Sequence, residues 1–161
     1  MYRGKKLMII CNCIINQNSV VKPLARSSGA FPLAAHFIND GIGLIQLPCP
    51  EFKFLGLERP SMTKNDYDCP EYRMLCRELF MPFLKDINSY LKSGYNIVGI
   101  LGIKHSPTCS IRGRQGIFME EIMTILKNND ISIKSYDIPE NYNENSDSFK
   151  LYEEIKSVFQ F

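Results

Sequence analysis

Four short runs of apolar residues alternate along the chain with longer segments in which apolar residues recur every three or four positions. Continuous apolar runs are typical of strands buried on both faces, and the longer periodic segments are typical of amphipathic helices. The sequence therefore predicts strands over residues 6–12, 42–47, 95–103 and 131–138. It predicts helices from about Ala30 to Gly41, from Pro70 to Leu91 with a kink at Pro82, from Ile117 to Lys127 and from Asp147 to Phe159.

Strands that alternate with helices indicate right-handed βαβ units and a parallel sheet with helices on both faces. We therefore predict an α/β fold, a small doubly wound domain of the flavodoxin or Rossmann type, with its four strands in the order 2-1-3-4. In such sheets ligands bind outside the carboxyl ends of the strands, at the point where the strand order reverses. For this order that point lies between strands 1 and 3.

The length is that of one globular domain, which we expect to span residues 1–161. The net charge of +2 is too small to indicate a nucleic-acid polymer as a partner. No apolar run approaches the ~20 residues that a membrane-spanning helix needs, so we expect no membrane partner. We expect a cytoplasmic protein, whose six cysteines are reduced and act as apolar side chains, metal ligands or catalytic thiols.

Three of the cysteines, Cys13, Cys49 and Cys109, follow directly after a predicted strand. Neighbouring strands lie about 4.8 Å apart, so three adjacent strand ends can bring three sulfur atoms together. Pro48 and Pro50 flank Cys49, and a residue before proline is held in an extended conformation. The remaining cysteines are interpreted as buried apolar side chains: Cys11, Cys69 and Cys76.

The spacing of the three cysteines leaves their chemistry open. Each could be a buried apolar residue. A structural zinc ion takes four ligands, so it would need His36 or His105 in addition. An iron–sulfur cube held by three cysteines leaves one iron without a protein ligand, and an open iron is a Lewis acid that can bind a substrate.

Four short motifs resemble those of the thiouracil desulfidase (TudS) family. The three that contain the cysteines are Cys13-Ile-Ile-Asn-Gln-Asn18, Pro48-Cys-Pro-Glu51 and Ser106-Pro-Thr-Cys109. A fourth, Gly56-Leu-Glu-Arg-Pro60, is similar to the family's segment after its Cys-Pro-Glu motif. The resemblance covers residues from about 6 to 130. The first motif departs from the family, because Asn12 replaces a small residue and Ile14-Ile15-Asn16 replaces Leu-Leu-Gly. The chain therefore resembles a divergent, TudS-related branch.

The resemblance implies that Cys13, Cys49 and Cys109 bind a [4Fe-4S] cluster whose fourth iron takes sulfur from a small thiolated compound. The carbon that loses sulfur gains oxygen from water. Glu51 is implied as the residue that transfers protons, and Ser106 as a polar catalytic residue beside the cluster. The candidates for substrate binding are Asn16, Asn18, Lys104 and His105.

Each polar candidate also has a structural interpretation. Glu51 could pair with Lys53 or Arg59, and Ser106 could cap the turn before Pro107. Two other functions stay open as well. One is a non-enzymatic iron–sulfur or zinc protein that senses redox state. The other is a metal-free enzyme that processes a nucleotide or nucleoside in the same cleft, although no glycine-rich phosphate loop follows strand 1.

Overall fold

A computed structural model describes residues 2–161, which form a four-stranded, all-parallel sheet. The bounds of the strands are Lys6–Ile10 for β1, Gly43–Gln46 for β2, Asn96–Ile103 for β3 and Ser135–Ile138 for β4. The strands lie in the order β2-β1-β3-β4. The predicted α/β fold, the parallel sheet and the strand order are confirmed.

Seven α-helices surround the sheet within residues 2–161. Their bounds are Asn12–Ile15 for α1, Leu33–Asn39 for α2, Pro50–Leu55 for α3, Lys64–Tyr67 for α4, Pro70–Lys92 for α5, Ile117–Asn128 for α6 and Ser148–Phe159 for α7. Short 3₁₀ turns lie at Gln17–Ser19 and Lys22–Leu24. None of the helices in this described part combines the length and apolar character needed to cross a bilayer.

Several predicted boundaries are wrong. The first strand ends at Ile10 rather than at residue 12, because the chain turns into α1 there, and α2 begins at Leu33 rather than near Ala30. The fourth strand begins at Ser135 rather than at residue 131. The apolar residues just before it are half-buried against the core but do not pair with β3. The apolar character of these residues therefore reflects their contact with the core, although they do not belong to the sheet.

Two short helices, α3 and α4, lie in the segment 48–69, where the apolar pattern predicts neither a helix nor a strand. Pro50 occupies the first helical position of α3, where its fixed φ suits a helix and its missing N–H costs nothing. At α4, Thr63 and Asp66 form a capping box, in which each side chain accepts from the other residue's backbone N–H. Both helices are thus begun by local chemistry, without the long apolar period of α5.

The central strand β3 anchors the core. Seven of its eight residues are buried, and Ile100 and Leu101 are fully excluded from solvent. Helix α5 packs on α6, and α2 packs on α7. Gly99 permits a close approach by α7, since a Cβ there would lie 2.3 Å from the ring of Phe159. The strand ends that carry the candidate site are therefore held by the best-packed part of the molecule.

Candidate functional site

A cavity of about 420 Å³ lies at the carboxyl ends of the strands, and Cys13, Cys49 and Cys109 all line it. Cys13 is in the first turn of α1, directly after β1. Cys49 lies between β2 and α3, and Cys109 lies in the loop after β3. The strand order reverses between β1 and β3, so the cavity occupies the usual ligand position of this architecture.

The turn that carries Cys13 is held by Gln17, which is 2% exposed. Its Nε2 donates to the Cys13 carbonyl oxygen at 2.7 Å, and its Oε1 accepts from the backbone N–H of Arg26 at 2.9 Å. One buried amide thus fixes the cysteine turn to the segment 20–26 that walls the cavity. Sequence reasoning included Gln17 only within the motif Cys13-Ile-Ile-Asn-Gln-Asn18 and missed this role.

Backbone geometry fixes the position of Cys49. Its φ of −87° and ψ of 109° are extended, as the following Pro50 predicts. The Cys49 carbonyl oxygen accepts from the N–H of Lys53 at 3.1 Å, and Cys49 is the N-cap residue of α3. Its side chain therefore projects from the junction of a buried strand and a helix, and has little backbone freedom.

The loop around Cys109 is held by Ser106. The Oγ of Ser106 accepts from the backbone N–H groups of Thr108 at 3.3 Å and of Cys109 at 3.0 Å. The Cys109 carbonyl oxygen accepts from the N–H of Ile103 at 3.0 Å. The buried hydroxyls of Thr108 and Tyr72 lie 2.8 Å apart and join this loop to α5. Ser106 therefore has the capping role that the sequence left open, and its hydroxyl hydrogen has no acceptor within residues 2–161.

A carboxylate and two glycines complete the support of this loop. Asp137 on β4 accepts from the backbone N–H groups of Ile111 at 2.9 Å and of Arg112 at 2.8 Å. A Cβ at Gly102 would lie 2.5 Å from the Cys109 carbonyl oxygen, and one at Gly116 would lie 2.3 Å from a backbone atom of Thr108. Only glycine permits approaches this close, so the loop is packed directly on β3 and on the start of α6.

Replacing Gly116 by alanine is expected to displace the Cys109 loop, because the added Cβ would overlap Thr108. Overpacking of this kind costs about 1–3 kcal/mol, so the free energy of unfolding in urea should fall by about that amount. Gly29→Ala is the matched control, since nothing lies within 4 Å of its added Cβ. Equal free energies for the two variants would contradict the close packing described here.

The three thiols form one electrostatic unit. Burial raises the pKa of Cys13 well above its ordinary value, and the charges of Cys109 and Cys49 raise it further. Burial, and then the charge of Cys109, raises the pKa of Cys49 to about 11. A hydrogen bond with the Cys11 thiol, and then burial, raises the pKa of Cys109 well above its ordinary value. The thiols are therefore protonated at neutral pH, and a metal that binds them displaces protons.

The other cysteines differ among themselves. Cys11 is 1% exposed and lies beside Cys109. The hydrogen bond with Cys109 lowers the pKa of Cys11, but burial and neighbouring charges raise it by more. Cys76 is fully buried in α5, as predicted. Cys69 packs against the hydrophobic core but is only half-buried. It is the N-cap residue of α5.

The metal-ligating groups of this cavity are three thiols. Cys13, Cys49 and Cys109 line it together, and its volume is about 420 Å³. Within residues 2–161, no group of three or more His, Cys, Asp or Glu side chains is spaced to hold one ion. Cysteine thiolates are the usual ligands of iron–sulfur clusters, so the chemistry of the donor set fits such a group.

Only one of the two histidines lies at the cysteine cavity. His36 lies between α2 and α7, where its Nε2 is 3.0 Å from the Ser148 hydroxyl and its ring stacks on Tyr152. His105 lines the cavity, and its Nδ1 is 2.7 Å from Glu140 Oε2. Of the two histidines that a zinc site could use, His36 therefore does not line the cavity.

Glu51 lines the same cavity, from the first turn of α3. Its Oε2 accepts from Arg59 Nε at 3.3 Å. Of the two ion-pair partners that the sequence left open, the structure has Arg59. Lys53 instead lines a neighbouring cavity. The Glu51 side chain is 13% exposed, so the carboxylate reaches the cavity from a largely buried position.

The four predicted substrate-binding residues divide between two cavities. Lys104 and His105 are exposed on the rim of the cysteine cavity, and His105 has a positive φ of 63°. Asn16 and Asn18 line the neighbouring cavity, which measures about 700 Å³ and shares Cys49 with the first. The Oδ1 of Asn16 accepts from the Asn18 backbone N–H at 3.2 Å, which closes the turn after α1. These two asparagines are thus separated from the two rim residues.

Arg26 is a further cavity residue that sequence reasoning missed. Its Nη1 donates to the carbonyl oxygens of Pro139 and Glu140, each at 2.7 Å. Burial lowers the pKa of Arg26, and the positive charge of Arg26 opposes part of the rise in the pKa of Cys13. The arginine therefore places a positive charge beside the thiols. Its partners are backbone atoms more than 110 residues away, so no sequence motif could reveal it.

The chain is 38% identical over 154 residues to the uncharacterized protein MJ0003 of Methanocaldococcus jannaschii. The match covers 95% of this chain and 98% of that protein. No family model matches the chain, and no solved structure matches it. The relative's name states no activity, so any function has to be argued from the site.

Proposed function

We propose that this chain, which belongs to the same family as the uncharacterized protein MJ0003 of Methanocaldococcus jannaschii, is an iron–sulfur-dependent desulfidase. It would remove sulfur from a small thiolated, thiouracil-like compound by hydrolysis. One observation carries the proposal: thiols from three adjacent strand ends line one cavity together with a carboxylate. The resemblance of the motifs around those residues to the TudS family supports it.

The proposed ligands of a [4Fe-4S] cluster are Cys13, Cys49 and Cys109. When bound, the cluster would supply one iron without a protein ligand, a Lewis acid for the sulfur of a thiocarbonyl group. Arg26 and Arg59 both line the cavity and offer positive charge to thiolates that have lost their protons. The chain thus offers three ligands and two nearby cations.

The proton chemistry is assigned to Glu51. Its Oε2 is bound by Arg59, whereas Oε1 has no hydrogen-bond partner within residues 2–161. In the proposed reaction a thiocarbonyl and water become a carbonyl and hydrogen sulfide, with no change of redox state. Glu51 Oε1 would take one proton from the water as its oxygen joins the carbon, and would return it to the departing sulfur. The second proton leaves the new hydroxyl group as the carbonyl forms, and it goes to the released hydrosulfide.

The remaining polar residues would bind and orient the substrate. The Ser106 hydroxyl hydrogen is free to donate into the cavity, because its oxygen already accepts from the loop. Lys104 and His105 on the rim can donate to carbonyl groups of a bound heterocycle. Asn16 and Asn18 line the neighbouring cavity, so they contact only a ligand that extends past Cys49.

A second candidate is a metal-binding protein without catalytic activity. It is favoured by the fact that Glu51 and Ser106 both have structural partners, an arginine and a loop backbone. Such a protein needs the same three cysteines, but it does not need a free carboxylate oxygen on Glu51. For either function we propose a reducing cytoplasm, in which cysteines stay free thiols.

The desulfidase proposal predicts release of sulfide from thiolated pyrimidines. Protein reconstituted with iron and sulfide without oxygen should convert 2-thiouracil or 4-thiouracil to uracil, with one sulfide per uracil. Both products can be quantified, by chromatography and by a colorimetric sulfide assay. A fully loaded protein that releases no sulfide above the level of the cluster-free protein would favour the second candidate.

A further inference from the structure

Arg59 is the only charged residue in the described part of the chain that is buried, and its side chain is 2% exposed. Its guanidinium donates in three directions. Nε reaches Glu51 Oε2 at 3.3 Å, Nη1 the Gly56 carbonyl oxygen at 3.2 Å, and Nη2 the Ser19 carbonyl oxygen at 2.8 Å. These contacts satisfy the guanidinium within the wall of the cavity.

A buried ion pair of this kind is a poor source of stability. Removing two charges from water costs about as much as their attraction returns, and apolar residues of the same size often serve as well. The pair is better explained by geometry. Arg59 joins the turn after Cys13, through Ser19, to both ends of α3, through Glu51 and Gly56. It thereby sets where the Glu51 carboxylate lies relative to the thiols.

A second, independent observation concerns Tyr67, which is 1% exposed. Its hydroxyl is the only buried side-chain polar atom in residues 2–161 without a hydrogen-bond partner. It lies beside Glu51 and Arg59, whose charges act on it, and burial raises the pKa of Tyr67 to about 12. Its ring stacks on Tyr72 with the ring centroids 4.8 Å apart. Unsatisfied buried groups are rare and call for an explanation.

We propose that Arg59 is a positioning residue for Glu51, and that the Tyr67 hydroxyl is a second donor held ready for the same carboxylate. Arg59 fixes Oε2 and leaves Oε1 to exchange the proton. The Tyr67 hydroxyl is a buried donor beside that carboxylate with no other buried partner to serve. The inference rests on the proposed function in its use of Glu51, but the arrangement itself can be tested without turnover.

Kinetics of a double-mutant cycle test whether Arg59 acts through Glu51. Arg59→Met should lower kcat about 100-fold, the scale expected for a misplaced catalytic group, and leave KM within about threefold. Arg59→Lys should restore little of the kcat that Arg59→Met loses, since an ammonium group cannot donate in the three directions that the guanidinium serves. In a Glu51→Gln background, Arg59→Met should change kcat by less than about threefold. Arg114→Met, which removes an exposed arginine that bonds Asn65, is the control.

The same loss of kcat on Arg59→Met in both backgrounds would overturn the inference, because Arg59 would then act independently of Glu51. An unchanged kcat in the wild-type background would overturn it as well. Because Arg59→Met could fail to fold, Arg59→Lys provides the same comparison with a charge retained.

Tyr67→Phe separates a functional role from a structural one. The hydroxyl makes no hydrogen bond, so its removal should leave the midpoint of urea unfolding unchanged or raise it. It should nevertheless lower kcat about tenfold, the effect of one lost hydrogen bond to a charged group. A lowered unfolding midpoint with unchanged kcat would show that Tyr67 is structural and would overturn its part of the proposal.

A stability cycle on cluster-free protein keeps the inference testable if the desulfidase proposal fails. Arg59→Met should lower the urea midpoint, and adding Glu51→Gln should recover part of the loss, because the unpaired carboxylate is then removed. If the effects of the two substitutions on the urea midpoint were additive, the proposed coupling between Arg59 and Glu51 would be overturned. If the effects were coupled but the protein released no sulfide, the coupling would stand and the desulfidase proposal would be refuted.

Discussion

Replacing Cys13, Cys49 or Cys109 singly by alanine is expected to abolish assembly of a complete cluster and all sulfide release. Each thiol comes from a different strand end and lines the same cavity, so each variant removes one of the three proposed ligands. Iron and acid-labile sulfide per chain, measured after reconstitution without oxygen, should fall from about four to a small fraction.

Two other cysteines provide the controls for this experiment. Cys69→Ala removes a thiol that does not line the cavity, and it should leave the iron content unchanged. Cys11→Ala is the more demanding control, because Cys11 lies beside Cys109 but is 1% exposed. A full cluster in any of the three ligand variants, or loss of the cluster in Cys11→Ala, would contradict the assignment of ligands.

Replacing Glu51 by glutamine is expected to leave the cluster in place and to lower kcat about 10²- to 10⁴-fold, the usual contribution of a general acid–base group. Glutamine preserves the shape of the side chain and an oxygen for Arg59, but it cannot exchange a proton. The measurement is sulfide release at saturating substrate, with iron content determined on the same sample.

Glu58→Gln is the matched control for this substitution. Glu58 is exposed in the same segment and does not line the cysteine cavity, so its removal should leave kcat within about twofold. Full activity of Glu51→Gln would transfer the proton chemistry to another group. Loss of iron in Glu51→Gln would instead show that the carboxylate supports the cluster.

The fold could be predicted from the sequence because the clearest apolar patterns belong to the elements that are most buried. The run 95–103 is almost wholly buried as β3, and the buried residues of α5 recur every three or four positions. The start of β4 was wrong because Ile131 and Ile133 contact the core without pairing, and an apolar pattern does not distinguish these two situations.

Part of the site was predictable for a topological reason. Parallel strands end at the same edge of the sheet, so residues just after β1, β2 and β3 had to be neighbours once the order was known. The sequence therefore located Cys13, Cys49 and Cys109. The sequence could not predict that Asn16 and Asn18 line a different cavity from Lys104 and His105. Which cavity a loop residue lines depends on how the loop packs in the tertiary structure.

The supporting residues were not predictable, since their partners are distant or are backbone atoms. Arg26 donates to carbonyl oxygens more than 110 residues later in the chain, and Asp137 accepts from backbone N–H groups about 25 residues before it. Tyr67 is notable only because its hydroxyl has no partner in the described structure. Arg59 was named as a possible partner of Glu51, but its three directed contacts depend on Ser19 and Gly56 as well.

The most direct test of the central claim is the iron and acid-labile sulfide content of protein reconstituted without oxygen, together with its visible spectrum. We expect about four irons and four sulfides per chain and the broad absorption near roughly 400 nm of a four-iron cluster. Negligible iron after reconstitution, with the three thiols still free to react with an alkylating agent in denaturant, would contradict the proposal that these cysteines hold a cluster.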